Sequence, residues 1–109
     1  MKIVRFDTRR PITEFGSREA TVAGVARCNG STHVVSIQLE PGGIVGAHKA
    51  VGPQLFLVVA GEGWVRANGE RVPVRAGDAV HWDHGEWHET GSQNGLSAVA
   101  VEAERIELV

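Results

Sequence analysis

A chain of 109 residues with 42% hydrophobic and 22% charged side chains fits one globular domain, 1–109, with room for one core and not for two. Eleven basic against 13 acidic residues leave a net charge of −2, too little field to draw in nucleic acid or an anionic membrane, so neither is expected as a partner. A lone Cys28 allows no internal disulfide, MKIVRFDTRRP has no apolar stretch of signal-peptide length, and no run approaches the roughly 18 apolar residues of a membrane span; the expectation is a reduced, cytoplasmic protein.

Along the chain, 14 glycines punctuate short runs rich in valine and isoleucine. KIVRF, at 2–6, reads as a short strand that could cover a sheet edge within the chain or in a partner. THVVSIQLE, at 32–40, puts Val35, Ile37 and Leu39 on one face and Ser36, Gln38 and Glu40 on the other. QLFLVVA, at 54–60, is apolar on both faces and is read as ending at GEG, while WVRANGERVPV, at 64–74, is a hairpin about Asn68-Gly69. GLSAVAVEA, at 95–103, is another period-two run, and the final VEAERIELV suits either a strand or a weak helix. Turn signals every eight to twelve residues predict an all-β sandwich or barrel.

The stretch HWDHGEWHET, at 81–90, first suggests a helical metal cluster, because His84 and His88 are four residues apart. Its place in an all-β chain, between GDAV and TGSQNG, with a turn at Asp83-His84-Gly85, argues instead for strand, turn and strand. His84 then sits solvated at the turn tip, with His81 and His88 on the two arms. Trp82 and Trp87 flank the turn, either as a ligand platform or as aromatic packing across it.

PGGIVGAHKAVGPQLFLVVAGEG followed by GDAVHWDHGEWHE resembles the two motifs of the cupins, small jelly-roll β-barrels that often hold one metal ion. Gly42, His48, Gln54 and Gly61 fall at the glycine, first histidine, acid and closing glycine positions of the first motif, over 42–61. Gly77, Gly85 and His88 match the second, over 77–88, with 15 residues between the motifs. The resemblance implies a cupin double-stranded β-helix. It also implies a divalent transition metal, Fe, Mn, Ni or Zn, held by His48, Gln54 and His88, and a homodimer. The sequence departs from the pattern at Ala50, where a second histidine is usual, at Gln54, where a glutamate is usual, and at Asp83, where a proline is usual. An amide is a weaker donor than a carboxylate, so affinity should fall and the site should favour an anionic, oxygen-rich ligand.

Phe56, Trp64, His81, Trp82, Glu86 and Trp87 are the candidate ligand-pocket residues. His81 and Trp82 are adjacent, so only one of them can face inward on a strand. His33 shares its phase with Val35 and reads as a rim histidine. Asp78, after Gly77, reads as a turn acid, and Glu86 as a rim charge or a general base. The outward row Leu55, Leu57 and Val59 is expected to be exposed and to receive a second copy. Two functions stay open: a metal-dependent enzyme on a small oxygenated metabolite, in a dioxygenase or isomerase-like step, and a non-catalytic small-molecule-binding module without metal.

Overall fold

Alternating valines, broken by glycine turns, build ten strands in the computed structural model, which covers residues 1–109. They are β1 (Lys2–Arg5), β2 (Arg10–Pro11), β3 (Thr21–Val22), β4 (Ala26–Leu39), β5 (Ile44–Lys49), β6 (Gln54–Arg66), β7 (Val72–Arg75), β8 (Asp78–Trp82), β9 (Trp87–Gly91) and β10 (Leu96–Leu108). The only helical element is a 3-10 turn at Glu14–Gly16, and no helix is long and apolar enough to cross a membrane.

One sheet layer runs β1-β8-β6-β10-β4, all antiparallel. The facing layer is β5-β9-β6-β7. Strand β6 belongs to both: Gln54–Leu57 pair with β8, and Glu62–Arg66 pair with β7 and β9. Between these halves its pairing with β10 slips at Ser97/Ala98, and Gly61 takes φ +78°. A bulge and a left-handed glycine are what bend one strand from sheet to sheet. GEG therefore turns a corner inside β6 instead of ending it, a correction to the sequence reading. The Asn68-Gly69 hairpin joins β6 to β7, and VEAERIELV is the second half of β10.

The core between the layers is built from Leu39, Phe56, Val58, Val65, Val74, Val80, Trp82, Leu96 and Ala98. KIVRF pairs within the chain, as β1 along the edge of β8. Asp78 helps to fix it there. Its carboxylate accepts the Arg75 backbone N–H at 2.9 Å and an Arg5 guanidinium N–H at 2.9 Å. The outward row of β6 departs from expectation: Leu55 is 2% exposed and Leu57 half-buried, and only Val59, at 52%, lies open. Strand β6 is interior to its layer, flanked by β8 and β10, so its outer face is more sheltered than that of a barrel edge.

A Cβ placed at Gly61 would stand 2.3 Å from the Gly95 carbonyl oxygen, on a backbone that L residues adopt only at a cost. Gly61→Ala should therefore lower stability by about 2 kcal/mol, or roughly 10 °C in Tm, read by thermal unfolding. Gly69→Ala shares the positive φ but meets nothing within 4 Å, and should cost clearly less.

Candidate functional site

At one end of the barrel the two layers enclose a cavity of about 200 Å³. Strand register sorts its wall into levels. Gln54, Glu102 and His33 are neighbours across β6, β10 and β4, and Trp82 is the partner of Gln54 on β8. One step deeper the same strands bring together Phe56, Ala100 and Val35, and Ile37 lies below them. The facing layer contributes Val45 and His48 from β5 and His88 and Thr90 from β9. The cavity thus has a polar rim and an apolar floor, because inward positions along these strands change from polar to aliphatic with a period of two.

His48 reaches this wall through a local irregularity. Val45 pairs with Thr90, but the next partners are His48 and His88, so Gly46 and Ala47 oppose one residue of β9. Regular alternation would turn His48 away from the face that Val45 occupies, and the bulge restores it. The two imidazoles then stand opposite each other with ring centroids 4.0 Å apart. His48 Nδ1 lies 2.8 Å from the Gly46 carbonyl oxygen and His88 Nδ1 3.4 Å from that of Glu86. A carbonyl only accepts, so each Nδ1 carries a proton, and in the neutral ring this leaves the Nε2 lone pair without a protein partner. His88 is buried at 6% exposure against the Trp82 ring, 4.8 Å away between centroids, whereas His48 is open at the mouth.

Burial holds the His88 imidazolium below its ordinary pKa of 6.5. The hydrogen bond to the Glu86 carbonyl opposes this, the proximity of His48 adds to it, and the Glu86 and Glu102 carboxylates act against it. The cavity wall carries one carboxylate, Glu102, and no lysine or arginine. Gln54 donates its amide N–H to Glu102 at 3.2 Å, which fixes the amide so that its carbonyl oxygen is the free end. Glu102 escaped the sequence reading because no motif marks it. The signal was present in GLSAVAVEA, where Ala98, Ala100 and Glu102 form the inward row and the valines face out.

Of the candidates named from sequence, His48, Gln54, His88, Phe56 and Trp82 line the cavity, and His33 joins them. The others stand elsewhere. Trp82 takes the inward position, 2% exposed, which turns its neighbour His81 outward, to a shallow cleft with Lys2, Ile106 and Leu108. Trp64 lies over Gly91, where a Cβ would come within 2.4 Å of its ring. It faces a separate groove of about 440 Å³ with Arg75 and Gln93, and Arg71 stacks on it at 3.8 Å. Trp87 is 44% exposed, with the Lys49 ammonium 5.8 Å from its ring centroid.

Glu86 serves the turn. Its carboxylate accepts the Asp83 N–H at 3.0 Å and pairs with the Met1 ammonium. Burial alone would raise its pKa, but the ammonium, the Asp83 N–H and His81 together hold it below the usual carboxylate value. Ala50, where a second histidine is usual, is 2% exposed under this same turn. Its N–H donates to Glu86 O at 3.0 Å and its carbonyl accepts from Gly85 N at 2.7 Å.

No three His, Cys, Asp or Glu side chains converge as a metal-binding group. The cavity wall carries three imidazoles, His33, His48 and His88, with the Gln54 amide and the Glu102 carboxylate, and of these only His48 and His88 stand ring to ring.

The family model described as a cupin domain matches residues 35–102. An oxalate-binding protein of Thermotoga maritima is 42% identical over 68 residues, a match covering 60% of this chain and 56% of that protein, so little more than half of the relative is represented. Among solved structures, a cupin superfamily protein of Desulfitobacterium hafniense superposes with a TM-score of 0.65 at 13% identity, covering 96% of this chain and 100% of that one. KdgF of a Halomonas species gives 0.63 at 19% identity, covering 75% and 82%. At these identities the structural likeness speaks for the fold alone. With the family model spanning both motifs and the strands between them, this chain belongs to the cupin superfamily, as a small double-stranded β-helix.

Proposed function

We propose that this cupin binds a small oxygen-rich anion in the barrel cavity, on a divalent transition ion held by His48 Nε2, His88 Nε2 and the Gln54 amide oxygen. The observation that carries the reading is the cross-strand pair of histidines, each with Nδ1 tied to a backbone carbonyl and Nε2 left free at one cavity. Backbone-bound Nδ1 is the arrangement that orients imidazole ligands toward a metal. The relative's name supports a small carboxylate as the class of ligand. The cavity wall holds no lysine or arginine, so an anion placed there without metal would face the Glu102 carboxylate with uncharged donors such as the unpartnered Trp82 indole N–H to offset it. This favours a metal-bound ligand over the metal-free module.

Binding is favoured over turnover. Glu102 is engaged by Gln54, and Glu86, the other candidate base, belongs to the turn and not to the cavity wall. Bound at this site, a divalent ion would present open positions to carboxylate and carbonyl oxygens. The protein's own contribution is to orient two imidazoles, hold one amide and keep an apolar floor beneath them.

For assembly, we propose a homodimer. Val34, at 60% exposure, and Val59, at 52%, lie beside half-buried Leu57, Val99 and Val101 as an aliphatic surface. Light scattering coupled to gel filtration should give twice the 11.7 kDa chain mass, and a monomer at micromolar concentration would sink this assignment.

Titration calorimetry with Mn, Fe, Ni and Zn should show one site per chain, and His48→Ala or His88→Ala should each weaken it by at least about 100-fold while leaving the circular dichroism spectrum intact. Absence of uptake by the wild type would end the metal reading. Metal retention should fall on acidification, because protons compete with the ion for the imidazole nitrogens, and burial makes His88 harder to protonate than an ordinary imidazole. The metal-free protein should follow the same sign: its unfolded chain takes up the His88 proton first, so stability is greatest above pH 6.5 and declines through the range beneath it.

A further inference from the structure

Trp82 carries a polar group that the fold itself does not use. Its ring is 2% exposed and stands 4.8 Å from that of His88 and 5.9 Å from that of Phe56 between centroids, contacts that a phenyl ring would make as well. The indole N–H is the one buried side-chain nitrogen or oxygen in the chain without a hydrogen-bond partner. Buried donors are almost always paired, because a donor left alone loses its bonds to water and gains nothing in return. Strand register gives this donor a place at the ligand cavity. Trp82, Gln54, Glu102 and His33 are successive partners across β8, β6, β10 and β4, and all four line the cavity. Glu102, the one carboxylate of the wall, accepts from Gln54 and not from the indole.

We infer that the Trp82 indole N–H is the donor that anchors the cavity's ligand, through a carboxylate or carbonyl oxygen of a small acid. A hydrogen bond to an anionic oxygen is stronger than one between neutral groups, which suits a wall without lysine or arginine. The position suits an anion too: Trp82 lies two strands from Glu102, roughly 10 Å between backbones, so an acid held at the indole keeps its charged end away from the Glu102 carboxylate. This rests on the reading of the cavity as the site of an oxygen-rich anion. It is independent of any metal ion, since the bond joins the chain directly to the ligand.

The test reads the indole N–H signals of the wild type by nuclear magnetic resonance, one for each of the three tryptophans. Trp64→Phe and Trp87→Phe, both outside the cavity, each delete one signal and so identify that of Trp82. Oxalate and pyruvate are the probes, added to the metal-free protein and to the zinc-loaded protein. Saturation with at least one of them should move the Trp82 signal downfield and slow its exchange with solvent, while the Trp64 and Trp87 signals stay in place. Trp82→Phe keeps a ring against Phe56 and His88 and removes only the donor. By calorimetry it should weaken binding of the same probe by about tenfold or more, the size of a hydrogen bond to a charged group.

Saturable binding that shifts the signals of Val45 or Phe56 but leaves the Trp82 indole N–H in place, or an affinity that Trp82→Phe changes by less than about twofold, would overturn the inference while the anion site stands. Binding of neither probe in either state would remove both together. If zinc fails to load, the metal-free titration decides alone. The spectrum needs no variant at Trp82, so it decides even if Trp82→Phe folds poorly.

Discussion

Everything in this barrel hangs on β6, which runs from the cavity rim at Gln54, through the core at Phe56 and Val58, and round a corner at Gly61 into the facing layer. A strand shared by two sheets fixes both the angle between them and the register of whatever pairs with either half. Through its first half β6 sets Trp82 and Glu102 level with Gln54. Through its second half it holds β9 by Trp64–Gly91 and Val65–Thr90, and β9 in turn carries His88. The glycine that permits the bend is therefore remote from the ligand cavity and yet decides whether the two walls of that cavity face each other.

The second layer adds one adjustment. A regular β5 would give the cavity Val45 and Ala47, and the extra residue at Gly46-Ala47 replaces Ala47 by His48. The bulge also leaves the Gly46 carbonyl within reach of His48 Nδ1, so a backbone irregularity both aims the imidazole and sets its tautomer. At the far end of the strand, Ala50 closes down beneath the 83–86 turn through a reciprocal pair of backbone hydrogen bonds. The turn packs where a larger side chain at this position would have to go, and this is a structural counterpart of the missing second histidine.

Much of this could be read from the residues. Period-two alternation and glycine spacing were enough for an all-β chain, and the histidine and glycine intervals were enough for the cupin fold. The turn at Asp83-His84-Gly85 was legible too, and with it the separation of His84 from His88. What stayed hidden depends on register. The sequence around GEG carries ordinary turn residues, and only pairing on both sides shows that a strand continues through it. Trp64, His81, Trp87 and Glu86 share the aromatic and titratable character of pocket residues. His81 is turned out by parity on β8, Trp64 by the layer that the outer half of β6 faces, Trp87 by its place next to inward His88 on β9, and Glu86 by its bonds within the turn. Glu102 was missed for the converse reason: it carries no motif, and its inward phase is set by its partner Gln54.

That pairing changes the meaning of the glutamine. Taken alone, an amide where the family pattern has a carboxylate reads as a loss, a weaker donor and an uncompensated cation. Beside Glu102 it reads as a displacement of charge: the carboxylate has moved one strand across, from β6 to β10, at the same level of the barrel. A carboxylate at the position of Gln54 would carry the charge on β6, and Glu102 carries it from β10, so the two arrangements give the same sum at long range. They differ in what they do to an incoming ligand, because Coulomb repulsion between close charges in a partly buried site is far larger than in water. The first arrangement would keep the charge on the strand that carries Gln54, while the second sets an acid at the rim from β10, above a floor of aliphatic and aromatic side chains.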